Sequence, residues 1–223
     1  MKNIFLLFIL FAHLYGGDNL AEMKNYIQKA YEKKYQNYGI HISNIIFSIS
    51  PNIPIESYQI RSIDLDSKYL NKKDGMILLS VNSNDALLKI PLQYQLQATI
   101  NVYRATETIK TSENITDKNS AQETIAFDRI AQIPIDSSQI NHISAKSYIN
   151  PNSIITLDKI QSKILIRKND SFTGFIKDKQ ITLQTTLIAK ENGAFGDIIN
   201  AINPETKKII KVKVIDTNKG KIL

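Results

Sequence analysis

The longest regular pattern in the chain runs from Leu88 to Val102. Leu88, Ile90, Leu92, Tyr94, Leu96, Ala98, Ile100 and Val102 share one parity, and Lys89, Gln93, Gln95, Gln97, Thr99 and Asn101 the other. A period of two puts successive side chains on opposite faces, so the segment predicts an antiparallel strand with one buried face. At ~3.3 Å per residue it is ~50 Å long, so it bends or passes from one domain into the next. Pro91 lacks an N–H and points to an edge or a bulge. Earlier, Leu20, Met23, Ile27, Ala30, Tyr31 and Lys34 recur at spacings of three and four, the stripe of an amphipathic helix. Asn19 is its predicted N-cap, with Glu22 as reciprocal partner, and Gly39 its stop.

After Gly39 the chain turns to Ile-rich, strand-like runs. They lie at 39–50, 53–63 and 76–82, and again at 180–190, 207–215 and 219–223. In one of them Ile210, Val212 and Val214 alternate with Lys211 and Lys213. Two segments 40 residues apart resemble each other: "ATETIKTSENIT" from Ala105 and "AKSYINPNSIIT" from Ala145. They predict two strand-turn units packed into one compact β module. The fold class expected is mainly β (α+β), with a single helix near the N-terminus.

The first residues carry a different pattern. Lys2 precedes an uninterrupted apolar run from Ile4 to Phe11, and Gly16 and Gly17 follow. This is the layout of a secretory signal peptide, and the run is too short to span a bilayer. The mature chain is therefore expected outside the cytoplasm, without stable membrane insertion.

Composition removes several functions. There is no cysteine, which excludes disulfides, thiol nucleophiles and Cys-ligated zinc. Net charge is +7, and six lysines against the single acid Asp216 fall between Lys207 and Lys221. Such a basic end fits nucleic acid, anionic lipid or an acidic protein. Aromatics are 8% of residues and Trp is absent, so base-stacking platforms are scarce and nucleic acid is not the expected partner. His13, His41 and His142 are scattered. Asp136, Ser137 and Ser138 lie near His142 in sequence, but a triad or metal site needs partners that converge in space. No catalytic residue, metal ligand or cofactor is assigned.

"ENGAFGDIINAINPETKK", residues 191–208, has the look of a phosphate cradle. Such a cradle needs a helix whose N-terminus meets the phosphate, and "DIINAIN" before Pro204 is too short for one. Gly193 and Gly196 are instead expected to be structural, reversing the chain at positive φ between two strands.

The segment "LIAKENGAFGDIINAINPETKKIIKVKVI" resembles the C-terminal signature of the flagellar basal-body P-ring assembly chaperones, the FlgA family. The matching positions are Ala189, Asn192, Gly193, Gly196, Asp197, Ile198, Asn203 and Val212. "ATETIKTSENITDKN" and "AKSYINPNSIITLDKI" resemble the SAF, or β-clip, module of these proteins. The resemblance covers roughly residues 105–223. It departs from the family in lacking cysteines, and in replacing the glycine of the β-clip turn by Glu113 after Ser112 and by Asn152 before Ser153.

The resemblance implies a signal peptide at 1–16, an N-terminal α+β domain at 17–102, a SAF-like β-clip module at 103–165 and a C-terminal antiparallel β domain at 166–223. It implies a periplasmic, non-enzymatic chaperone that binds the flagellar P-ring subunit and assists its assembly around the rod. The alternative is an envelope binding module for peptidoglycan or another glycan, or for a pilus-assembly apparatus. Phe172 and Phe175 flank Gly174, read here as a turn, and Phe195 lies in the glycine turn. Aromatics on turns are core plugs or binding anchors. With the resemblance, these three and a lysine face of Lys207, Lys208, Lys211 and Lys213 are the expected partner-binding residues.

Overall fold

The computed structural model describes residues 18–83, 86–178 and 181–223. The expected signal peptide, 1–16, lies outside the described residues. Cα packing divides the described residues into two compact units: those up to Gln36 with those of His41–Ala98, and Asn37–Ile40 with those of Thr99–Leu223. In chain order the first unit holds helix α1 (Asn19–Lys34) and strands β1 (His41–Ser48), β2 (Gln59–Leu65), β3 (Asp74–Ser83) and most of β4 (Ala86–Ala105). The alternating segment is thus one 20-residue strand that continues from one unit into the other.

The first unit is a helix on a sheet of order β1-β4-β3-β2, in which β2–β3 and β3–β4 are antiparallel. Ile77, Leu79 and Val81 of β3 and Leu92, Tyr94 and Leu96 of β4 are buried, as are Met23, Ile27 and Tyr31 of α1. Of the stripe at three and four, Met23, Ile27 and Tyr31 thus face inward as the period dictates, Leu20 and Ala30 are half-buried, and Lys34 at its end is exposed. The cap differs from expectation. Asp18 is the N-cap, and its carboxylate accepts from the Ala21 N–H at 2.9 Å. Asn19 is buried instead, and its amide donates to the Ile55 and Tyr58 carbonyls at 2.7 and 2.8 Å. The Glu56 carboxylate accepts from the N–H groups of Asn19 and Leu20, so an anion sits at the positive end of the helix. α1 ends at Lys34, a turn before Gly39; a 3-10 turn at Gln36–Tyr38 intervenes before Gly39 at φ 55°.

At the centre of this core the Tyr31 hydroxyl stands 2.7 Å from the Lys72 carbonyl, 3.0 Å from that of Tyr69 and 3.1 Å from the Tyr94 hydroxyl. The Tyr31 and Tyr94 rings meet edge to face, with centroids 6.4 Å apart at 88°. Burial raises the pKa of both phenols above the ordinary tyrosine value, because the phenolate would lose its hydration.

In the second unit Thr99–Ala105 of β4 pairs antiparallel with β6 (Ser120–Ala126). β5 (Asn114–Ile115), β7 (Ile143–Ala145) and β8 (Ile160–Ser162) form a small sheet beside it. The two similar segments pair with each other about a pseudo-twofold. The Ala105 N–H donates to the Ser153 carbonyl, and the Asn152 N–H to the Ala105 carbonyl. Forty residues on and back, the Ala145 N–H donates to the Glu113 carbonyl, and the Ser112 N–H to the Ala145 carbonyl. Ser112 and Asn152 occupy equivalent left-handed positions, φ 66° and 61°. The residue in the glycine's conformation at the first turn is therefore Ser112, one place before the expected Glu113. Glu113 instead accepts from the Lys110 N–H through its carboxylate at 2.9 Å. The interior of this module is isoleucine: Ile109, Ile115, Ile135, Ile149 and Ile155 are fully buried.

The last part of the unit contains β9 (Ile164–Ile166), β10 (Ser171–Asp178), β11 (Ile181–Ala189), β12 (Gly193–Ala194), β13 (Ile198–Ile202), β14 (Ile209–Asp216) and β15 (Lys219–Ile222). β10, β11, β13, β14 and β15 close into a barrel, and β9 pairs with β12. Neighbours are antiparallel as expected, except that β10 and β15 run parallel. Ile166, Phe172, Leu187, Ala189, Ile199, Ala201, Val212 and Val214 fill the interior. The described residues contain no helix long and apolar enough to cross a membrane.

Candidate functional site

The glycine turn shows which chemistry the barrel is built for. The Ala194 N–H donates to the Asp197 carboxylate at 2.8 Å, the Gly196 N–H to the Val214 carbonyl at 2.9 Å, and the Asp197 N–H to the Ala194 carbonyl at 3.1 Å. These three backbone donors are already engaged, and strand β13 follows instead of a helix. The two glycines have different roles. Gly196 holds φ 87° and a Cβ there would meet nothing within 4 Å, so backbone conformation alone selects it. Gly193 does not have positive φ: it pairs with β9, and a Cβ would stand 2.7 Å from Val214 Cγ2 and 2.9 Å from Ile199 Cγ2. The expectation of two left-handed glycines is corrected to one, with Gly193 chosen for space against the core.

The three phenylalanines separate in the same way. Phe172 is 3% exposed and lies in the barrel core, so its reading as a surface anchor is corrected to a plug. Gly174 is no turn. It lies inside β10, where a Cβ would come 2.6 Å from Leu187 Cδ1, so it permits close packing within the barrel. Phe175, of opposite parity to Phe172 and Gly174, is half-buried. Phe195 is 74% exposed at the crest of the glycine turn, the most exposed large apolar side chain among the described residues.

The lysines are not one face either. Lys207 and Lys208 precede β14 and lie on the β13–β14 turn, with Lys207 at φ 61°. Lys211 and Lys213 point outward from β14, because Val212 and Val214 point in. Barrel register adds Lys221, which sequence reasoning did not assign. Ile198 stands opposite Lys213, Lys213 opposite Lys221, and Lys221 beside Phe175. One outward row across four strands thus reads Ile198, Lys213, Lys221, Phe175, and Ile198 is 59% exposed. The signal for Ile198 and Lys221 lay in the alternation of their strands, but which strands adjoin is set by barrel closure and cannot be read locally.

Like charges directly opposite on neighbouring strands repel. Lys211, Lys213 and Lys221 have no salt-bridge carboxylate among the described residues, whereas Lys219 is held by Asp216 at 3.3 Å. The outward row therefore combines the exposed Ile198 and the half-buried Phe175 with positive charge that has no salt-bridge partner among the described residues.

Asp136, Ser137, Ser138 and His142 have a structural role. Asp136 accepts from the N–H and the hydroxyl of Ser138, at 2.8 and 2.5 Å, and caps the 3-10 turn at Ser137–Gln139 in a capping box with Gln139. The His142 N–H donates to the Gln139 carbonyl. Among the described residues no group of three or more His, Asp or Glu is placed to hold a metal ion.

Comparison with known proteins agrees with the resemblance. A curated relative from Aquifex aeolicus (strain VF5), the flagella basal body P-ring formation protein FlgA, is 20% identical over 218 residues, covering 97% of this chain and 89% of its own. The crystal structure of Salmonella FlgA in open form has a similar fold, with TM-score 0.53 and 15% identity over 89% of this chain and 91% of that one. The flagellar protein FlgA from Thermotoga maritima MSB8 aligns with TM-score 0.55 and 16% identity over 91% of this chain and 72% of that one. The model of the family described as "Chaperone for flagella basal body P-ring formation" matches residues 100–222, and the chain belongs to that family.

Proposed function

We propose that this protein is exported to the periplasm, binds the flagellar P-ring subunit there, and works by reversible binding without catalysing a reaction. The outward row of the barrel, Ile198, Lys213, Lys221 and Phe175, with Lys211 beside it and Phe195 on the adjoining turn, is the binding surface. A ring subunit carries surfaces that self-associate, so its chaperone has to cover one of them and later release it. The observation that carries the reading is the Lys213–Lys221 pair, without a salt-bridge carboxylate among the described residues, set between the exposed Ile198 and the half-buried Phe175. Repulsion retained in the free protein is relieved by a partner carboxylate, and exposed apolar area is recovered on binding. Lys207 and Lys208, on the turn that precedes β14, extend the positive field and speed encounter.

The test is a titration of the mature chain against the purified P-ring subunit of the same organism. Lys213→Glu/Lys221→Glu is expected to weaken binding by about tenfold or more while leaving the fold intact, since exposed charges contribute little to stability. Unchanged affinity of that variant removes the row from the interface.

A further inference from the structure

The β10–β11 hairpin extends beyond the closed part of the barrel. β10 pairs with β11 along eight residues, but β15 covers β10 only at Thr173–Phe175, and β13 covers β11 only at Ile188 and Ala189. The direction of each backbone group along β11 follows from the ends of the ladder. The Ala189 N–H donates to the Asp170 carbonyl, on the β10 side, and the Lys190 N–H to the Asn200 carbonyl, on the β13 side. Backbone groups alternate sides along a strand. Leu183, Thr185 and Leu187 therefore face β10, and Thr182, Gln184 and Thr186 face outward, where no strand among the described residues pairs with them.

This edge lacks the devices that keep strand edges from pairing. From Thr182 to Leu187 the sequence is Thr-Leu-Gln-Thr-Thr-Leu, with no charge and no proline, although natural sheets blunt exposed edges with lysine, proline or bulges. Thr182, Gln184 and Thr186 are exposed. On the side of the hairpin that continues the barrel interior, Ile176 and Leu183 stand opposite each other at 43% and 60% exposure. Such an apolar cross-strand pair is half of the contact an added strand would complete. β13 runs antiparallel to β11 and ends at Ile202, opposite Ile188, so the β13–β14 turn with Lys207 and Lys208 lies at the end of the uncovered stretch. Neither lysine has a salt-bridge carboxylate among the described residues.

We infer that the outer edge of β11, Thr182–Thr186, receives an extended segment of the client as an added β-strand. The segment has apolar residues at alternate positions, which pack beside Leu183, and an acidic residue at the end that meets Lys207 and Lys208. Backbone hydrogen bonds supply affinity in this mode, and the alternate side chains and terminal charge supply selectivity. The inference rests on the proposed binding of the P-ring subunit and adds the mode of capture: the chaperone occupies a strand that would otherwise pair within the growing ring.

Site-resolved amide exchange of the mature chain, alone and saturated with the purified P-ring subunit, tests it. In the free chain the amides of Thr182, Gln184 and Thr186 exchange faster than those of Leu183, Thr185 and Leu187. In the complex the outward three slow by about tenfold or more, as newly bonded amides do. Gln184→Pro removes one outward N–H and leaves the β10 ladder, and is expected to weaken client binding about tenfold; Gln184→Ala keeps the N–H and binds normally. If Gln184→Pro fails to fold, the exchange measurement on the unaltered chain decides alone. Binding of the subunit with unchanged exchange at the three outward amides overturns the inference and leaves the proposed function standing. Absence of any binding overturns both. Protection that grows with the concentration of the chain alone assigns the edge to a second copy and overturns the client inference.

Discussion

Ile109 and Ile149, 40 residues apart, hydrogen-bond each other through both backbone groups: the Ile109 N–H donates to the Ile149 carbonyl at 3.0 Å, and the Ile149 N–H to the Ile109 carbonyl at 2.9 Å. They stand on the pseudo-twofold that relates the two similar segments, and both side chains are fully buried. The pairing explains why the resemblance extends to the turns. A residue in the left-handed region is needed at the same place in each copy, and Ser112 and Asn152 supply it. Neither is glycine, and asparagine is the more tolerant of the two.

Symmetry at that point predicts matched costs. Ile109→Ala and Ile149→Ala each remove a fully buried side chain from the same cluster, and each is expected to destabilise the protein by ~2–5 kcal/mol. Because the two share neighbours, the double variant should depart from additivity by ~0.5–3 kcal/mol. Denaturant unfolding of the four proteins measures both quantities, and strictly additive losses would contradict a shared core.

The two glycines of the turn should fail for separable reasons. Gly193→Ala places a Cβ against Val214 and Ile199, an overpacking cost of ~1–3 kcal/mol, and Val214→Ala should relieve part of it. Gly196→Ala meets open space but must hold φ 87°, which costs ~1–2 kcal/mol, and no neighbouring truncation should relieve it. Thermal melts of the single and double variants distinguish the two; relief of Gly196→Ala by Val214→Ala would contradict the assignment.

These positions also mark how far the sequence was legible. The period-two pattern of β4 and the three-four stripe of α1 follow from burial of one face, so the chain alone reveals them. The 40-residue similarity was visible too, but that the copies pair with each other is a fact of tertiary folding. Asp18 and Asn19 are both good cap residues. Only the carbonyls of Ile55 and Tyr58, more than 30 residues away, decide that Asn19 is buried and Asp18 caps. Gly174 beside two phenylalanines reads as a turn by local propensity, yet Leu187 across the hairpin demands a glycine within the strand. The outward pair Lys211 and Lys213 was legible as alternation in β14, whereas Lys207 and Lys208 belong to the turn before it. The third outward lysine, Lys221, depends on the β14–β15 register and is invisible to any local window.

The buried phenols predict a response to alkali. The unfolded chain releases a tyrosine proton near pH 10.0, whereas folded Tyr31 and Tyr94 hold theirs to higher pH, chiefly because burial penalises the phenolate. Their contribution to stability is therefore complete below pH 10 and is lost as the pH rises above it. Urea unfolding should show the free energy falling between about pH 10 and 12. Tyr31→Phe should cost ~1 kcal/mol at neutral pH through its lost hydrogen bonds, and should flatten that fall. An alkaline slope equal to that of the unaltered protein would exclude Tyr31 as its source.

Phe172 and Phe195 offer the sharpest separation of fold from binding, since one residue type serves both on a single barrel. Phe172 packs among Leu187, Val212 and Val214, so Phe172→Ala should leave a cavity and cost ~3–5 kcal/mol of stability. Phe195 is 74% exposed, so Phe195→Ala should move stability by no more than ~0.5 kcal/mol. On the proposed surface it should weaken binding of the P-ring subunit by more than about 1 kcal/mol, as an aromatic anchor does. Lys211→Ala and Lys213→Ala should act differently again. Exposed charges govern encounter, so these variants should slow association, more at low salt than at high, with little change in dissociation. Stopped-flow association at two ionic strengths, paired with a melt of each variant, reads all four residues at once. Should Phe195→Ala bind normally while the lysine variants slow association, the anchor is Phe175 or Ile198 in the row itself. Should Phe195→Ala lower the melting temperature as Phe172→Ala does, the glycine turn serves the fold alone.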